Sequence, residues 1–357
     1  MYTTSFKVRD LLIPNFYSVE RLDPDDANDG YQRVLNQGRA KKLAKYIVTG
    51  QDTRDAFLPT SVFLATDKSI SFNTENNTIE FDIDDVGPFS VVDGQHRVEG
   101  LKLAAAEDPR VLDFELPVNI AVKLPHIHQM CHFLIVNTTQ KSVDKSVEQR
   151  INARLTQILT TEDIPSLPKW ILNTIKRGED DQALRFVDFL DSTHDSPWFN
   201  KVRMANQSKD ETTVNQHSFV KALKKYFLTA NNPILTTQNE QTQQKIFLNY
   251  WKAVVNELGA DDDSVLFKTN GVELFSRFSV PFLEKLHNTQ DWRVPTMEEL
   301  LRQVFDNVEG EFSGVGHSDF WVRGGKASGM NSGAINAGFK ELVQALHRSN
   351  SPGKALL

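Results

Sequence analysis

The densest cluster of chemically capable side chains in this sequence is the pentapeptide DGQHR, residues 93–97. Arg97 carries a planar fork of donors that suits a phosphate, and His96 can donate a hydrogen bond or act as a general acid or base. Gly94 allows a close backbone approach or a positive φ. Asp93 has three candidate roles: a helix cap, a partner that holds Arg97, or a ligand of hydrated Mg²⁺. With Gln95, these residues predict an anion-binding loop.

A purely structural interpretation stands beside this one, because short motifs often match by chance. Asp93 would then be an ordinary helix cap, and the three residues after Gly94 would be solvated turn residues. If the loop instead belongs to an enzyme, the candidate catalytic residues are Asp93, His96 and Arg97.

The elements around the pentapeptide would position it. The apolar run from Phe89 to Val92 is typical of a buried strand, and we expect a helix that begins near Arg97. A strand-to-helix turn leaves the first N–H groups of the helix unpaired, and the helix dipole favours an anion there. The β-branched run LPVNIAV follows. Strand, turn, helix and strand within about 35 residues is the size of a βαβ unit, so the sequence predicts one.

Upstream of the loop, residues 31–47 form a basic segment, YQRVLNQGRAKKLAKYI, without an acidic residue. Its apolar residues recur at helical spacing, and we expect Gly50 to stop the helix. The cations are candidates for contact with DNA phosphates, the alternative being a solvated helix face. These DNA-binding candidates are Arg33, Arg39, Lys41, Lys42 and Lys45.

Downstream, the stretch from His126 is mostly helical in pattern, with a break expected near Asn137–Thr139 and a strand-like FLIV just before it. The amides of Asn137 and Gln140 could bind a base edge or a ribose, and Lys141 could bind a phosphate. The alternative is a helix cap with polar neighbours.

The heptapeptide HIHQMCH contains metal ligands by type, and helical spacing places His128 on one face with Cys131 and His132. His126 is the fourth candidate. No carboxylate cluster or second cysteine lies nearby, so we predict a structural helix and no metal site.

Composition narrows the class of protein. The 357 residues are 39% hydrophobic and 24% charged, which is typical of a soluble globular protein. With 40 basic and 47 acidic residues the net charge is -7, which argues against a uniformly basic nucleic-acid binder but allows a local basic patch. The single cysteine excludes an intrachain disulfide. The first residues lack the pattern of a signal peptide, and no apolar run could span a membrane, so we expect a cytoplasmic protein.

The secondary-structure signals change along the chain. Strand-like runs (SVFLAT, TIEFDI and PFSVV) occur in the first half, whereas helical periodicity dominates the second. The sequence therefore predicts an α+β fold with a domain over residues 1–150 and a mainly helical domain over residues 151–357. The latter would end in a glycine-rich segment. Within it, SFVKALKKYFL predicts an amphipathic helix that exposes Lys221, Lys224 and Lys225.

Three blocks of the sequence resemble the DGQHR-domain family, in the family's order. They are YQRVLNQGRAKKLAKYI, VVDGQHRVEGL and FLIVNTTQKSVDKS, which together span about residues 31–150. Within that family, the chain length and helical second half are most similar to the DndB group, which is associated with DNA phosphorothioation. In that modification, sulfur replaces an oxygen of the DNA backbone.

The resemblance implies a ParB/sulfiredoxin-like domain with a mixed sheet, whose strand-to-helix loop binds nucleotide phosphates. It also implies that Arg33 and Arg39 pack near the loop. In sulfiredoxins the comparable loop reads Gly-Cys-His-Arg, and Gln95 stands where their catalytic cysteine would be, so thiol chemistry is not expected here. The implied phosphate- or nucleotide-binding residues are Asp93, Gly94, Gln95, His96, Arg97, Arg33, Arg39, Asn137, Gln140 and Lys141.

Two functions follow as hypotheses. The first is a DndB-like DNA-binding transcriptional regulator associated with phosphorothioate modification. The second is an Mg²⁺-dependent NTPase or DNA-nicking enzyme that uses the same loop, with a nucleoside triphosphate and Mg²⁺ as cofactors. The expected partners are DNA, a nucleotide and DNA-modification proteins, without a membrane. A homodimer is a candidate state, because DNA-reading regulators often match symmetric sites.

Overall fold

A computed structural model of the chain describes residues 1–23, 30–139, 144–159, 167–208 and 213–350. The chain forms two compact units. The first comprises Met1–Ile151 and Ile158–Asn173, and the second comprises Asn152–Gln157 and Thr174–Leu357. A mixed sheet with helices makes up the first unit, and the second is mainly helical, so the predicted α+β class is confirmed.

The first unit contains both short and long elements. Its strands are β1 (Tyr2–Lys7), β2 (Tyr17–Ser18), β3 (Val62–Ala65), β4 (Ser71–Asn73), β5 (Thr78–Glu80), β6 (Phe89–Asp93) and β7 (Glu115–Ala121). Its helices are α1 (Val8–Leu11), α2 (Gln37–Thr53), α3 (Ile83–Val86), α4 (Gln95–Glu107) and α5 (His126–Thr139), and the following α6 (Lys145–Ile158) and α7 (Lys169–Arg177) belong partly to each unit.

Five strands form one sheet in the order β1-β7-β3-β6-β2. The central strand β3 pairs antiparallel with β6, where Leu64 faces Val91, and parallel with β7, where Leu64 faces Ile120. Strands β6 and β7 therefore run in opposite directions on the two sides of β3. The predicted βαβ unit is wrong for this reason: α4 joins two antiparallel strands.

Most predicted strands of the first unit are confirmed in place and one is shortened, whereas β1, β2 and β4 were not predicted. SVFLAT, PFSVV and LPVNIAV contain β3, β6 and β7, whereas TIEFDI forms a strand only over Thr78–Glu80. The carboxylate of Asp82 accepts a hydrogen bond from the N–H of Asp84 and starts α3, which ends the extended backbone. Strand β1 was not predicted, although its residues alternate between half-buried and exposed as an edge strand requires.

Helices α2 and α4 pack closely, and a glycine makes this possible. A Cβ atom at Gly100 would lie 2.8 Å from Cδ2 of Leu43 and 3.1 Å from the carbonyl oxygen of Ala40. Gly50 has a similar role, which corrects its prediction as a helix stop. It lies inside α2, and a Cβ atom there would lie 2.0 Å from Cβ of Ala56, so its small size admits the following loop.

The second unit consists mostly of helices. They are α8 (Glu179–Ser192), α9 (Gln216–Ala222), α10 (Pro233–Thr237), α11 (Glu240–Leu258), α12 (Thr269–His287), α13 (Val294–Asp306) and α14 (Ser332–Arg348), with a short parallel pair β8 (Val202–Arg203) and β9 (Val214–Asn215). Aromatic side chains fill its core. The rings of Trp198 and Trp251, both fully buried, meet edge to face at 5.0 Å between centroids.

The glycine-rich segment is only partly a loop. Short 3₁₀ turns occupy Gly310–Phe312, Ser318–Phe320 and Lys326–Gly329, and α14 then begins at Ser332. Gly338, predicted to belong to the glycine-rich segment, lies inside α14, where a Cβ atom would be 2.4 Å from Cε1 of Phe312. Among the described residues, no helix combines the length and apolar character needed to cross a bilayer.

Candidate functional site

The DGQHR loop is a tight strand-to-helix turn. Strand β6 ends at Asp93, and α4 begins at Gln95, two residues before the predicted start. Gly94 between them has φ +106°, a left-handed backbone that side chains other than hydrogen rarely tolerate. The N–H groups of Arg97 and Val98 donate to the carbonyl oxygen of Gly94. Because Gly94 has no side chain to cap the helix, the N–H groups of Gln95 and His96 remain available for an external acceptor.

Asp93 holds Arg97 and does not cap the helix. Its Oδ2 atom accepts a hydrogen bond from Nη2 of Arg97 at 2.7 Å, and Nη1 of Arg97 donates to the hydroxyl of Thr60. Side-chain exposure is 19% for Arg97 and 32% for Asp93, so the pair is half-buried and open to the cleft described below. Of the three roles predicted for Asp93, this geometry supports the one in which it holds the arginine.

His96 links the loop to the start of the basic helix. Its Nε2 atom accepts a hydrogen bond from the backbone N–H of Asn36 at 3.0 Å. Burial lowers the pKa of His96, and the nearby Arg33 and Arg39 lower this pKa further. Because Nε2 accepts a hydrogen bond and the lowered pKa disfavours the cation, the imidazole carries its single proton on Nδ1. His96 is therefore a neutral ring with one remaining donor.

The segment before α2 is fixed against β6 by buried amides. Nε2 of Gln32 donates to the carbonyl oxygens of Val91 and Val92 at 2.6 and 2.9 Å. Nε2 of Gln95 donates to the carbonyl oxygen of Arg33 at 3.2 Å. These bonds join positions about sixty residues apart and bring Arg33 to the loop. Burial lowers the pKa of Arg33, and the charge of Arg39 lowers this pKa further.

A cleft of about 640 Å³ opens at this junction. Three arginines, one carboxylate and several hydroxyl and amide groups line it: Gln32, Arg33, Arg39, Pro59, Thr60, Ser61, Asp93, Gly94, Gln95, His96, Arg97, Phe133 and Asn137. Three positive charges against one negative charge leave the lining net positive. The volume falls within the usual range for small-ligand sites.

Two helix N-termini meet at the cleft. Asn36, which caps α2 by accepting from the N–H of Arg39, is hydrogen-bonded to His96 in the first turn of α4. The positive ends of both helix dipoles therefore lie within one hydrogen bond of each other, and each favours a negative group. Arginine forks, N–H groups and hydroxyls converge on the same space, so the arrangement suits an oxyanion such as phosphate.

The family comparison matches the part of the chain that carries this cleft. Residues 1–165 match the DndB family. The description of this family is "DNA-sulfur modification-associated", and the matched residues are fewer than half of the 357-residue chain. The DndB resemblance of the sequence is thereby confirmed, and the match associates this segment with DNA sulfur modification. No curated protein and no solved structure matches the chain, so the implied ParB/sulfiredoxin-like fold remains a prediction.

The DndB segment (residues 1–165) brings most of the predicted phosphate-binding residues together. All of the described ones line the cleft, and Gln140 and Lys141 lie outside the described residues. The strand-like FLIV is helical and belongs to α5, which runs unbroken through Asn137 to Thr139, so the predicted break is wrong. Asn137 is buried in the last turns of α5, and its Nδ2 atom donates to the carbonyl oxygen of Phe133 at 2.9 Å.

The predicted DNA-binding cations of the DndB segment divide into two groups. Arg33 and Arg39 line the cleft, whereas Lys41, Lys42 and Lys45 are exposed on α2 and are absent from its lining. Within the part of the chain that the structure describes, no carboxylate forms an ion pair with Arg39 or with these three lysines. A surface of unpaired cations thus continues from the cleft along α2.

The heptapeptide HIHQMCH forms the start of α5. Cys131 is fully buried, and burial raises the pKa of its thiol to about 12, so it is a neutral core residue. The rings of His126 and Tyr31 pack at 5.4 Å between centroids. Across the described residues there is no group of three or more histidine, cysteine or acidic side chains that could hold a metal ion.

Several residues of the site could not be predicted from the sequence. Thr60 and Ser61, just before β3, line the cleft, and Oγ of Ser61 accepts from Nδ2 of Asn119 at 2.7 Å. Oδ1 of Asn119 in turn accepts from the hydroxyl of Thr3 on β1 at 2.8 Å. Because Ser61 accepts from Asn119, its hydroxyl hydrogen remains for donation. No local signal marks these residues, since they reach the cleft through the pairing of β3.

Proposed function

We propose that this protein is a DNA-binding regulator of DNA sulfur modification, and that its cleft binds a phosphate of DNA or of a nucleotide. The family match supports the association with sulfur modification. The observation that carries the proposal is the convergence of Arg33, Arg39 and Arg97 on a cleft at which two helices begin.

Hydrogen-bond direction supports an anion as the ligand. Thr60 accepts from Arg97, and Ser61 accepts from Asn119, so each hydroxyl keeps a hydrogen to donate. His96 accepts at Nε2 and retains one donor, on Nδ1. A lining rich in donors matches the oxygens of a phosphate, which is an acceptor on every exposed face.

The exposed lysines of α2 extend the preference for negatively charged ligands beyond the cleft. Lys41, Lys42 and Lys45 are exposed and, among the described residues, without carboxylate partners, so they can neutralise neighbouring phosphates of a DNA strand. The cleft would fix one phosphate, and the lysines of α2 would contact the phosphates that follow it along the strand. These contacts would position DNA without contacts to base edges. The protein's net charge of -7 would keep the rest of its surface away from DNA.

The geometry of Asp93 and His96 favours binding over catalysis. The carboxylate of Asp93 is engaged by Arg97, and Nε2 of His96 is engaged by Asn36. A catalytic role would require one of these groups to leave its partner before it could hold a metal ion or move a proton. As a regulator, the protein needs neither step.

The second candidate is an Mg²⁺-dependent NTPase or DNA-nicking enzyme, and the size of the cleft favours a nucleotide in it. Arg33, Arg39 and Arg97 would hold the phosphates, and Asp93 is the carboxylate among the described lining residues that could approach Mg²⁺. Phosphate release from ATP, GTP and CTP tests this function. Equal background rates for the wild type and Arg97→Ala would dismiss it.

A salt-dependent binding measurement tests the regulator. Fluorescence anisotropy with duplex DNA from upstream of the protein's own gene should show affinity that falls steeply as salt increases. Arg39→Ala should weaken binding and reduce the salt slope by about one, because one phosphate contact is lost. Lys102→Ala, which removes an exposed cation from the same unit outside the cleft, is the matched control and should bind normally. Absent or salt-independent binding would refute the proposal.

A further inference from the structure

Two aromatic side chains are exposed on α2 and on the loop that leads from α2 to the cleft residue Pro59. Phe57 is 65% exposed, and Tyr46 on α2 is 44% exposed. Exposure of a phenylalanine to this extent leaves most of its ring in water, where it contributes nothing to the core of the first unit.

The backbone of Phe57 is held in place by Tyr46. The hydroxyl of Tyr46 accepts a hydrogen bond from the N–H of Phe57 at 3.1 Å and donates to the carbonyl oxygen of Phe57 at 3.3 Å. Both polar groups of this loop residue are therefore satisfied by one side chain. The backbone of Phe57 is fixed while its ring stays in solvent, so a ligand that stacks on the ring has to order only the side-chain torsions of this residue.

The position of Phe57 connects it with the cleft. Pro59 and Thr60, which line the cleft, follow two and three residues later, and two residues of extended chain span at most about 7 Å. On α2, Arg39, Lys42 and Tyr46 are spaced i, i+3 and i+7, so they share one helix face. Phe57 therefore lies a short chain distance from the cleft lining, and Tyr46, which binds its backbone, shares a helix face with two cations.

We propose that Phe57 is a stacking platform for an unpaired nucleobase of the DNA whose phosphate lies in the cleft. The inference rests on the proposed function and adds the form of DNA that is bound. Exposed aromatic rings next to a cationic groove bind single-stranded nucleic acid, because every base offers a π-face. In a duplex the neighbouring bases cover those faces, so the partner is a single strand or a base turned out of the helix.

Fluorescence anisotropy with the full chain and two labelled 12-nucleotide single strands tests the inference. One strand carries bases, and the other is an abasic phosphodiester of equal length and charge. The wild type should bind the base-bearing strand more tightly. Phe57→Ala should weaken that binding about five-fold or more, whereas binding of the abasic strand should not change. Phe57→Trp should restore the preference, because it restores a flat ring.

Phe72→Ala is the matched control, since Phe72 is 44% exposed in the same unit but stacks on Tyr2, away from the cleft lining. This variant should bind both strands as the wild type does. Equal binding of the two strands by the wild type and Phe57→Ala would overturn the stacking role and leave the proposed function intact. Failure of the wild type to bind either strand or the upstream duplex would overturn both. Circular dichroism of Phe57→Ala should match the wild type, because Tyr46 binds only the backbone of this residue.

Discussion

The ring of His96 accepts a hydrogen bond from the backbone N–H of Asn36, and this single bond joins the starts of α2 and α4. The two residues are 60 positions apart in the chain. The bond fixes the tautomer of His96 and brings Arg39, in the first turn of α2, and Arg97, in the first turn of α4, to the same cleft. A neutral histidine thus helps to assemble a site for a negative ligand.

The pH dependence of folding should report this bond. Burial and the neighbouring arginines lower the pKa of His96 below its ordinary value of 6.5. Below about pH 6.5 the unfolded chain binds a proton at this position while the folded chain does not, so the free energy of unfolding should fall as pH decreases. The fall should level off below the folded pKa.

The substitution His96→Gln should reduce that acid dependence, because glutamine can accept from Asn36 but does not titrate. Chemical denaturation between pH 7.5 and pH 5 measures the difference, with exposed His317→Gln as the control. Identical pH slopes for the wild type and His96→Gln would contradict the role assigned to His96.

Removal of the Asp93 carboxylate should strengthen anion binding. Asp93→Asn frees Arg97 and raises the net charge of the cleft, so sulfate or phosphate should bind more tightly by calorimetry. The cost to stability should stay below about 1 kcal/mol, because the pair is partly exposed. Asp108→Asn, which breaks the Asp108–Arg110 pair outside the cleft, should not change anion binding. Weaker anion binding by Asp93→Asn would instead favour Asp93 as a group that contacts the ligand or its metal.

Gly94→Ala should destabilise the protein and disturb Arg97. At φ +106° an alanine is strained, and its Cβ atom would lie 3.1 Å from Cγ2 of Val62 and 3.2 Å from Nε of Arg97. We expect chemical denaturation to show a free energy of unfolding that is lower by about 2 kcal/mol, and we expect weaker anion binding. Gly259→Ala is the control, because Gly259 also has a positive φ but has no neighbour within 4 Å of the added atom. The free energy of unfolding of Gly259→Ala should fall by about 1 kcal/mol. Equal losses of stability would show that the contacts of the added atom with Val62 and Arg97 are unimportant.

Substitution of Lys224 should lower the stability of the protein without a direct effect on DNA binding. The sequence predicts it exposed, but its Nζ atom lies 2.6 Å from Oδ1 of the buried Asp180, which also accepts from Asn152 at 3.0 Å. Lys224→Met leaves that carboxylate without its cation, so we expect a loss of about 2 kcal/mol in unfolding free energy. Exposed Lys221→Met should leave stability unchanged. If Lys224→Met were to weaken DNA binding without lowering stability, the structural assignment would be wrong.

Local features of the sequence determined the DGQHR loop. An apolar run, a glycine and a helical stretch follow one another, so the strand, the turn and the helix could be predicted from neighbouring residues. The same holds for the basic helix, for the α+β class and for the helical second half. The roles of Gly50 and Gly100 could not be predicted locally, because each permits close packing against a chain segment that no local pattern identifies.

Tertiary structure alone decided which partners those residues have. Asp93 pairs with Arg97 instead of capping α4, Thr60 and Ser61 enter the cleft, and Lys224 is committed to Asp180. The sequence likewise left the direction of β7 undetermined. Strand β3 precedes β6 and β7 in the chain but lies between them in the sheet, where it pairs antiparallel with β6 and parallel with β7. The physical reason is that periodicity and turn residues encode the conformation of a segment. Hydrogen-bond partners about sixty residues away depend on the order in which the strands pair.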